Sequence, residues 1–217
     1  MRLRGAKKAV NSRYFPPHSD KDEICAYLDV SRETQDKLQT YVDLLVKWQQ
    51  RINLISSSTL PQVWQRHILD SAQLVPYLPA SAQTVMDVGA GAGLPGLVLA
   101  MLTDKQIHLV ESDTKKVAFM RTAIAETGVN AVIHHGRIEE LACLQMDVIT
   151  ARALAPLSKL FELTRAQHHD GLRYLFLKGK GVKQELTELS SWSTLTVETY
   201  PSMTDEDAVI VQFINHK

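Results

Sequence analysis

Thr84-Val85-Met86-Asp87-Val88-Gly89-Ala90-Gly91-Ala92-Gly93-Leu94-Pro95-Gly96 is the stretch that decides the fold. A short strand ends at an acid, three alternating glycines follow at once, and Leu94-Pro95-Gly96 opens an apolar helix. Strand, tight turn and helix make a nucleotide-type site. Glycine lets the backbone turn sharply and a ligand approach without a Cβ in the way, while the amides of the helix start face that ligand. Pro95 suits the first helical turn, where its missing N–H costs nothing.

Two ligand classes compete for this turn. Gly91-x-Gly93-x-x-Gly96 formally meets the dinucleotide fingerprint, and Glu111 follows at about the right distance. Asp87 favours the other class: a carboxylate there would repel a pyrophosphate but attract the sulfonium and α-amino group of S-adenosylmethionine. Glu111 ends the predicted strand Gln106-Ile107-His108-Leu109-Val110 and can accept both ribose hydroxyls through its two oxygens. Its neighbour Asp113 reads as the N-cap of a helix beginning at Thr114. In Arg137-Ile138-Glu139-Glu140, Ile138 can pack on an adenine ring and Glu139 can contact it, with a solvated helix start as the alternative.

Outward from this stretch the chain divides in two. From Ala82 on, short apolar runs alternate with amphipathic segments, as a parallel sheet covered on both faces requires. Strands are predicted near 84–88, 106–111, 131–135, 146–150, 172–178, 193–199 and 208–214, and helices near 95–103, 114–127, 156–167 and 181–190. Only a turn-rich segment, 201–207, separates the last two strands, so they are expected to pair antiparallel. Before Ala82, apolar residues at helical spacing between Asp20 and Tyr77 predict an all-helical region, including a helix capped by Ser31 and one from Pro61 towards Leu74. The expected architecture is α/β and Rossmann-like. It has a basic arm (1–20), a helical region (21–80) and a cofactor-binding domain (81–217) with a seven-stranded, mostly parallel sheet whose last strand is antiparallel.

With 217 residues, the chain has material for one α/β core and a small appendage. Lys and Arg number 24, as do Asp and Glu, so net charge neither announces nor excludes nucleic acid. The first thirteen residues nevertheless carry Arg2, Arg4, Lys7, Lys8 and Arg13 without an acid, which reads as an arm able to lie along phosphates or as a solvated terminus. Cys25 and Cys143 stand far apart and outside any Cys/His cluster, so no metal or disulfide is expected. No apolar run of membrane-spanning length occurs and the basic start is not followed by an apolar signal region, so a cytoplasmic protein is expected; a monomer is expected as well.

Taken together, these residues make the chain resemble the glucose-inhibited division protein B family. The likeness runs from Trp48-x-x-x-x-Asn53-Leu54, through Arg66-His67-Ile68-Leu69-Asp70-Ser71 and Asp87 to Gly96, to Ala151-Arg152-Ala153 and Leu177-Lys178-Gly179. The Arg66–Ser71 block and Leu94-Pro95-Gly96 are its specific parts, since ordinary methyltransferases share only the general glycine turn. The resemblance implies a class I methyltransferase that uses S-adenosyl-L-methionine to methylate N7 of one guanosine, position 527, in 16S ribosomal RNA. The small ribosomal subunit would be its partner. It also implies cofactor contacts at Gly89, Leu94, Ile138, Glu139 and Arg152. The N-terminal arm matches no motif of the family.

The residues can be asked independently which methyl acceptor they suit. Neither cysteine lies in a proline-cysteine motif, as attack on cytosine C5 would need. Thr150-Ala151-Arg152-Ala153-Leu154-Ala155-Pro156 lacks the Asn/Asp-Pro-Pro-aromatic turn typical of exocyclic-amine methylation. Guanine N7 attacks through a lone pair and carries no proton, so no general base is needed. Arg152 is the candidate catalytic residue, through guanine O6 or through the cofactor, and the sequence leaves both open. Asn53, His67, Lys178 and Lys180 are candidate RNA contacts, each with a structural alternative: helix cap, packing or surface charge. A small-molecule or protein methyltransferase and a non-catalytic RNA-binding module remain the competing readings.

Overall fold

The computed structural model describes residues 15, 19–189 and 195–215, so most of the basic arm and positions 193 and 194 lie outside the described residues. Helix α1 (Lys21–Leu28) starts at a capping box in which Asp20 accepts the Glu23 N–H and Glu23 reaches back to the Asp20 N–H. Helix α2 (Arg32–Gln49) starts where its sequence predicts, with Ser31 accepting the Thr34 N–H, and buries Leu38, Tyr41, Val42 and Leu45.

The helix expected from Pro61 takes another form. A 3-10 turn covers Ser57–Gln62 with Pro61 inside it, a wider π turn covers Trp64–Leu69, and α3 is the last turn, Asp70–Ala72. Pro61 has no N–H for a continuous α ladder, and the wide turn behind it spreads Arg66, His67 and Asp70 along one wall of the cleft described below.

The sheet consists of β1 (Thr84–Val88), β2 (Gln106–Glu111), β3 (Ala131–His135), β4 (Val148–Arg152), β5 (Arg173–Lys178), β6 (Leu195–Pro201) and β7 (Val209–Asn215). Their order is β3-β2-β1-β4-β5-β7-β6. Pairings are parallel through β5, and β7 runs antiparallel to both β5 and β6, the reversal its sequence predicts. Strand β4 starts two residues later than predicted because Asp147 serves as a lock at its foot. The Asp147 carboxylate accepts the N–H groups of Gln83 and Thr84 at 2.7 and 2.9 Å, so Arg152 becomes the last residue of the strand. Strand β6 ends two residues beyond its predicted span.

Helices α4 (Gly96–Leu102), α5 (Thr114–Thr127), α6 (Leu157–Leu163) and α7 (Val182–Glu188) cover the sheet. Pro95 precedes α4 rather than lying in its first turn, after a cis Leu94–Pro95 peptide. Helix α6 ends early, with a separate 3-10 turn at Arg165–Gln167. Alternate strand residues face opposite layers. Val85, Leu109 and Leu175 pack with α4, α5 and the N-terminal helices, whereas Met86, Val110 and Phe176 pack on the side of α6 and α7. The helical region shares the first of these cores. Its buried Tyr41 donates a hydrogen bond to the Ala92 carbonyl in the glycine turn at 2.8 Å and packs near Phe119 of α5.

Gly96 shows how tightly α4 sits on the sheet. A Cβ there would lie 2.3 Å from Leu109 Cδ2 and 2.9 Å from Asp87 Oδ2. Gly96→Ala is therefore expected to lower the unfolding free energy by about 1–3 kcal/mol in urea titrations. Gly136→Ala, where the nearest atom is Glu140 Oε2 at 4.0 Å, is expected to stay within about 0.5 kcal/mol of the parent. Equal losses would contradict this packing.

Candidate functional site

A cleft of about 670 Å³ opens beyond the carboxyl ends of β1, β2, β4 and β5. It lies at the topological switch point, where the strand order turns from β1 to β4, and its volume suits a cofactor-sized ligand. Gly89, Gly91 and Leu94 line it as the sequence predicts. Gly89 and Gly91 have φ of +68° and +58°, in the left-handed region that favours glycine. Gly93 is not part of the lining. Its own left-handed backbone and the Leu97 side chain, 2.4 Å from where its Cβ would be, explain the glycine there.

Asp87 corrects the reading that set its carboxylate against the ligand. Strand alternation turns its side chain towards α4, where it is fully buried. Oδ2 accepts the Gly96 N–H at 2.8 Å and Oδ1 lies 3.5 Å from the Thr150 hydroxyl. Burial pushes its pKa up to about 7, against the lowering effect of the Gly96 hydrogen bond and the Arg152 charge. It holds the turn from behind and does not line the cleft.

Glu111 does line the cleft. Oε2 accepts the Gly91 N–H at 2.9 Å, and Oε1 accepts the N–H groups of Ser112 and Asp113, both at 2.8 Å. A carboxylate oxygen has a further lone pair for a ligand hydroxyl, so Glu111 can shape the turn and still receive a ligand. Asp113 caps α5 by accepting the Lys115 and Lys116 N–H groups. Ile138, buried at 4% exposure, and exposed Glu139 stand together on the wall beyond β3.

At the other end, Arg152 Nη1 meets three acceptors: the Arg66 carbonyl at 3.2 Å, His67 Nδ1 at 3.0 Å and Asp70 Oδ2 at 3.3 Å. An arginine can only donate, so Nδ1 is the acceptor and the His67 proton resides on Nε2, facing Thr59 Oγ1 at 2.8 Å. Burial, then the Arg152 and Arg66 charges, push the His67 pKa down to about 3. Arg66 itself pairs with Asp205 at 3.0 Å.

The remaining sequence candidates part company here. Lys178 reaches the cleft wall, but its ammonium is held by Glu185 at 2.8 Å and the Ala155 carbonyl at 2.9 Å, which ties down the loop after β4. Lys180 pairs with Asp207 on the surface and does not line the cleft. Asn53 is exposed and also outside the lining. Its neighbour Gln49 does the ordering, accepting the N–H groups of Leu54 and Ile55, which do line the cleft. Sequence reasoning missed Thr59, Asp70 and Leu154 as lining residues; of these, only Asp70 carried a signal, through the Arg66–Ser71 block. Among the described residues no group of three or more His, Cys, Asp or Glu side chains could hold a metal, and no helix is long and apolar enough to cross a membrane.

The glycine turn after β1, the acid closing β2 and the reversed β7 define the class I methyltransferase fold, with S-adenosyl-L-methionine as methyl donor. Solved structures share that fold. The ribosomal protein L11 methylase of Lactobacillus delbrueckii subsp. bulgaricus matches with a TM-score of 0.57 and 12% identity over 68% of this chain and 77% of its own. The glycopeptide N-methyltransferase MtfA complexed with S-adenosyl-L-methionine matches with a TM-score of 0.55 and 12% identity over 69% and 94%. Residues 34–210 match the GidB family, rRNA small subunit methyltransferase G. Ribosomal RNA small subunit methyltransferase G of Paramagnetospirillum magneticum (strain AMB-1) is 44% identical over 88% of this chain and 93% of its own. That of Rhodospirillum rubrum is 44% identical over 88% and 95%. The chain belongs to this family and is an rRNA methyltransferase.

The depressed His67 pKa makes a pH-dependent contribution to stability. Between about pH 3 and 6.5 the unfolded chain binds a proton at position 67 that the folded chain does not, so this contribution weakens as pH falls through that window. Against His67→Gln, the parent is expected to lose about 1.4 kcal/mol of relative stability per pH unit below 6.5, read from urea unfolding between pH 6.5 and 4.5. A stability difference independent of pH would contradict the neutral, buried His67.

Proposed function

We propose that the protein transfers the methyl group of S-adenosyl-L-methionine to N7 of guanosine 527 in 16S ribosomal RNA, in the cytoplasm, without a general base. The bound cofactor supplies an electrophilic methyl on a sulfonium. In this reading Glu111 receives a ribose hydroxyl on the remaining lone pair of Oε2, and Ile138 packs against the adenine, with Glu139 beside it. Gly91, where a Cβ would meet nothing nearer than 3.8 Å, leaves room for the methionine portion, beside Gly89 and Leu94. The fit rests on an acid of 8% exposure lining a cleft of cofactor size next to two left-handed glycines.

One observation carries the choice of acceptor. His67, at the β4 end of the cleft, stays neutral with both ring nitrogens engaged. The neighbouring carboxylates agree with it: Asp70 and Asp205 are each paired with an arginine, and Asp87 lies behind the turn. This end suits an acceptor that brings its own lone pair and has no proton to lose. Arg152 then supplies donors for guanine O6, the atom flanking N7. Its Nη1 is taken up by the protein, while its Nε and Nη2 make no hydrogen bond among the described residues. Catalysis rests on alignment of N7, methyl carbon and sulfur, an effect worth roughly 7–11 kcal/mol in favourable systems.

Small subunits lacking the modification are expected to accept labelled methyl from the cofactor at one guanosine. The RNA chain should then break at that position after borohydride and aniline treatment, the mark of N7 methylation. Label that resists this cleavage, or resides on an exocyclic amine, would overturn the assignment.

A further inference from the structure

We infer that Asp70 and His67 are positioning residues that set the guanidinium of Arg152 for methyl transfer; this rests on the reading of Arg152 as the residue that contacts the substrate base. The Arg66–Ser71 block thereby gains a task. His67 and Asp70 lie three positions apart on the wall formed by the π turn and α3, and both meet the same Nη1 atom of Arg152, at 3.0 and 3.3 Å.

Each of the two is itself held from behind. Asp70 Oδ1 accepts from the Thr204 hydroxyl at 2.7 Å and from Gln73 Nε2 at 2.9 Å. Gln73 accepts the Met203 N–H at 2.8 Å, which fixes the loop between β6 and β7 to the same helix. His67 gives its Nε2 proton to Thr59, whose hydroxyl donates to the Ser56 carbonyl at 2.7 Å. The Arg152 and Asp70 side chains are only 17% and 16% exposed, so their charge pair is shielded from water and holds its geometry better than a surface pair would.

A free guanidinium samples many rotamers, and freezing one during the reaction costs side-chain entropy. Three acceptors sharing the two hydrogens of one nitrogen fix the plane in advance, so that Nε and Nη2 present a preset edge to the cleft. Preorganised donors of this kind act on rate more than on ground-state binding. Asp70 and His67 then act only through Arg152, and substitutions at 70 and 152 should not be additive.

The test is a double-mutant cycle with Asp70→Asn and Arg152→Gln, read as single-turnover methyl transfer to unmodified small subunits, with cofactor affinity by calorimetry and thermal unfolding beside it. Asp70→Asn alone is expected to lower the rate on the order of tenfold or more, with cofactor affinity within about twofold of the parent. Added to Arg152→Gln, it is expected to change the rate by less than about twofold. His67→Gln, whose amide oxygen can still accept from Arg152, should fall between parent and Asp70→Asn, and serves if Asp70→Asn does not fold. It is then also combined with Arg152→Gln, where it should add nothing. Equal losses in both backgrounds, or an unchanged rate for the single variant, would overturn the inference. Aniline cleavage of the product separates the two claims: a methyl on another atom defeats the N7 reading, whereas the coupling between 70 and 152 is read from rates whichever atom is labelled.

Discussion

The hydrogen bond from the Gly96 N–H to the buried carboxylate of Asp87 fixes where β1 hands the chain to α4. The glycine turn between them has no polar side chain with which to hold itself, so its shape is imposed from both sides. Asp87 grips the start of the helix from behind, and Glu111 binds the Gly91 N–H from the neighbouring strand. The Thr150 hydroxyl lies against the same Asp87 carboxylate, which joins β4 to the junction. Burying a carboxylate is costly, and the rise of its pKa to about 7 records that cost. What the arrangement provides is a rigid floor for the cleft, on which the ends of β2 and β4 set their own residues.

The N-terminal helices belong to the same mechanical unit. Leu38, Val42 and Leu45 share a core with Val98, Val117 and Phe119, and the Tyr41 hydroxyl reaches the glycine turn itself. Polar contacts then couple this region to the far edge of the sheet, Arg66 to Asp205 and Asp70 to Thr204. The cleft is therefore walled by three separate parts of the chain, and each wall is braced by the next. This bracing explains why an arginine at the end of β4 is held by residues more than eighty positions earlier.

The periodic parts of the fold were legible in the sequence. Short apolar runs between amphipathic segments gave the strands, Ser31 and Asp113 gave helix starts, and the turn-rich segment before β7 gave the reversal. The misreadings have physical causes. Asp147 looks like a strand residue because its lock on Gln83 and Thr84 joins positions more than sixty apart. Asp87 looks like a ligand contact because a linear motif does not say to which face of the sheet a side chain turns. Lys178 looks free for a phosphate because its partner Glu185 lies on a later helix. Thr59 carries no signal at all, since its part in the site comes only from folding the 3-10 turn against His67. Glu111, Ile138 and Arg152 line the cleft because each stands at the end of a strand or at the opening of the loop beyond it, positions a sequence can mark.

Two acids divide the work around the glycine turn, Glu111 facing the cleft and Asp87 facing the protein. A crystal structure of the protein with S-adenosylhomocysteine tests this division most directly. The expected result is a ribose hydroxyl within hydrogen-bonding distance of Glu111, the adenine against Ile138, and Asp87 still bound to the Gly96 N–H. A ligand amino group on Asp87, or a ribose bound away from Glu111, would contradict it.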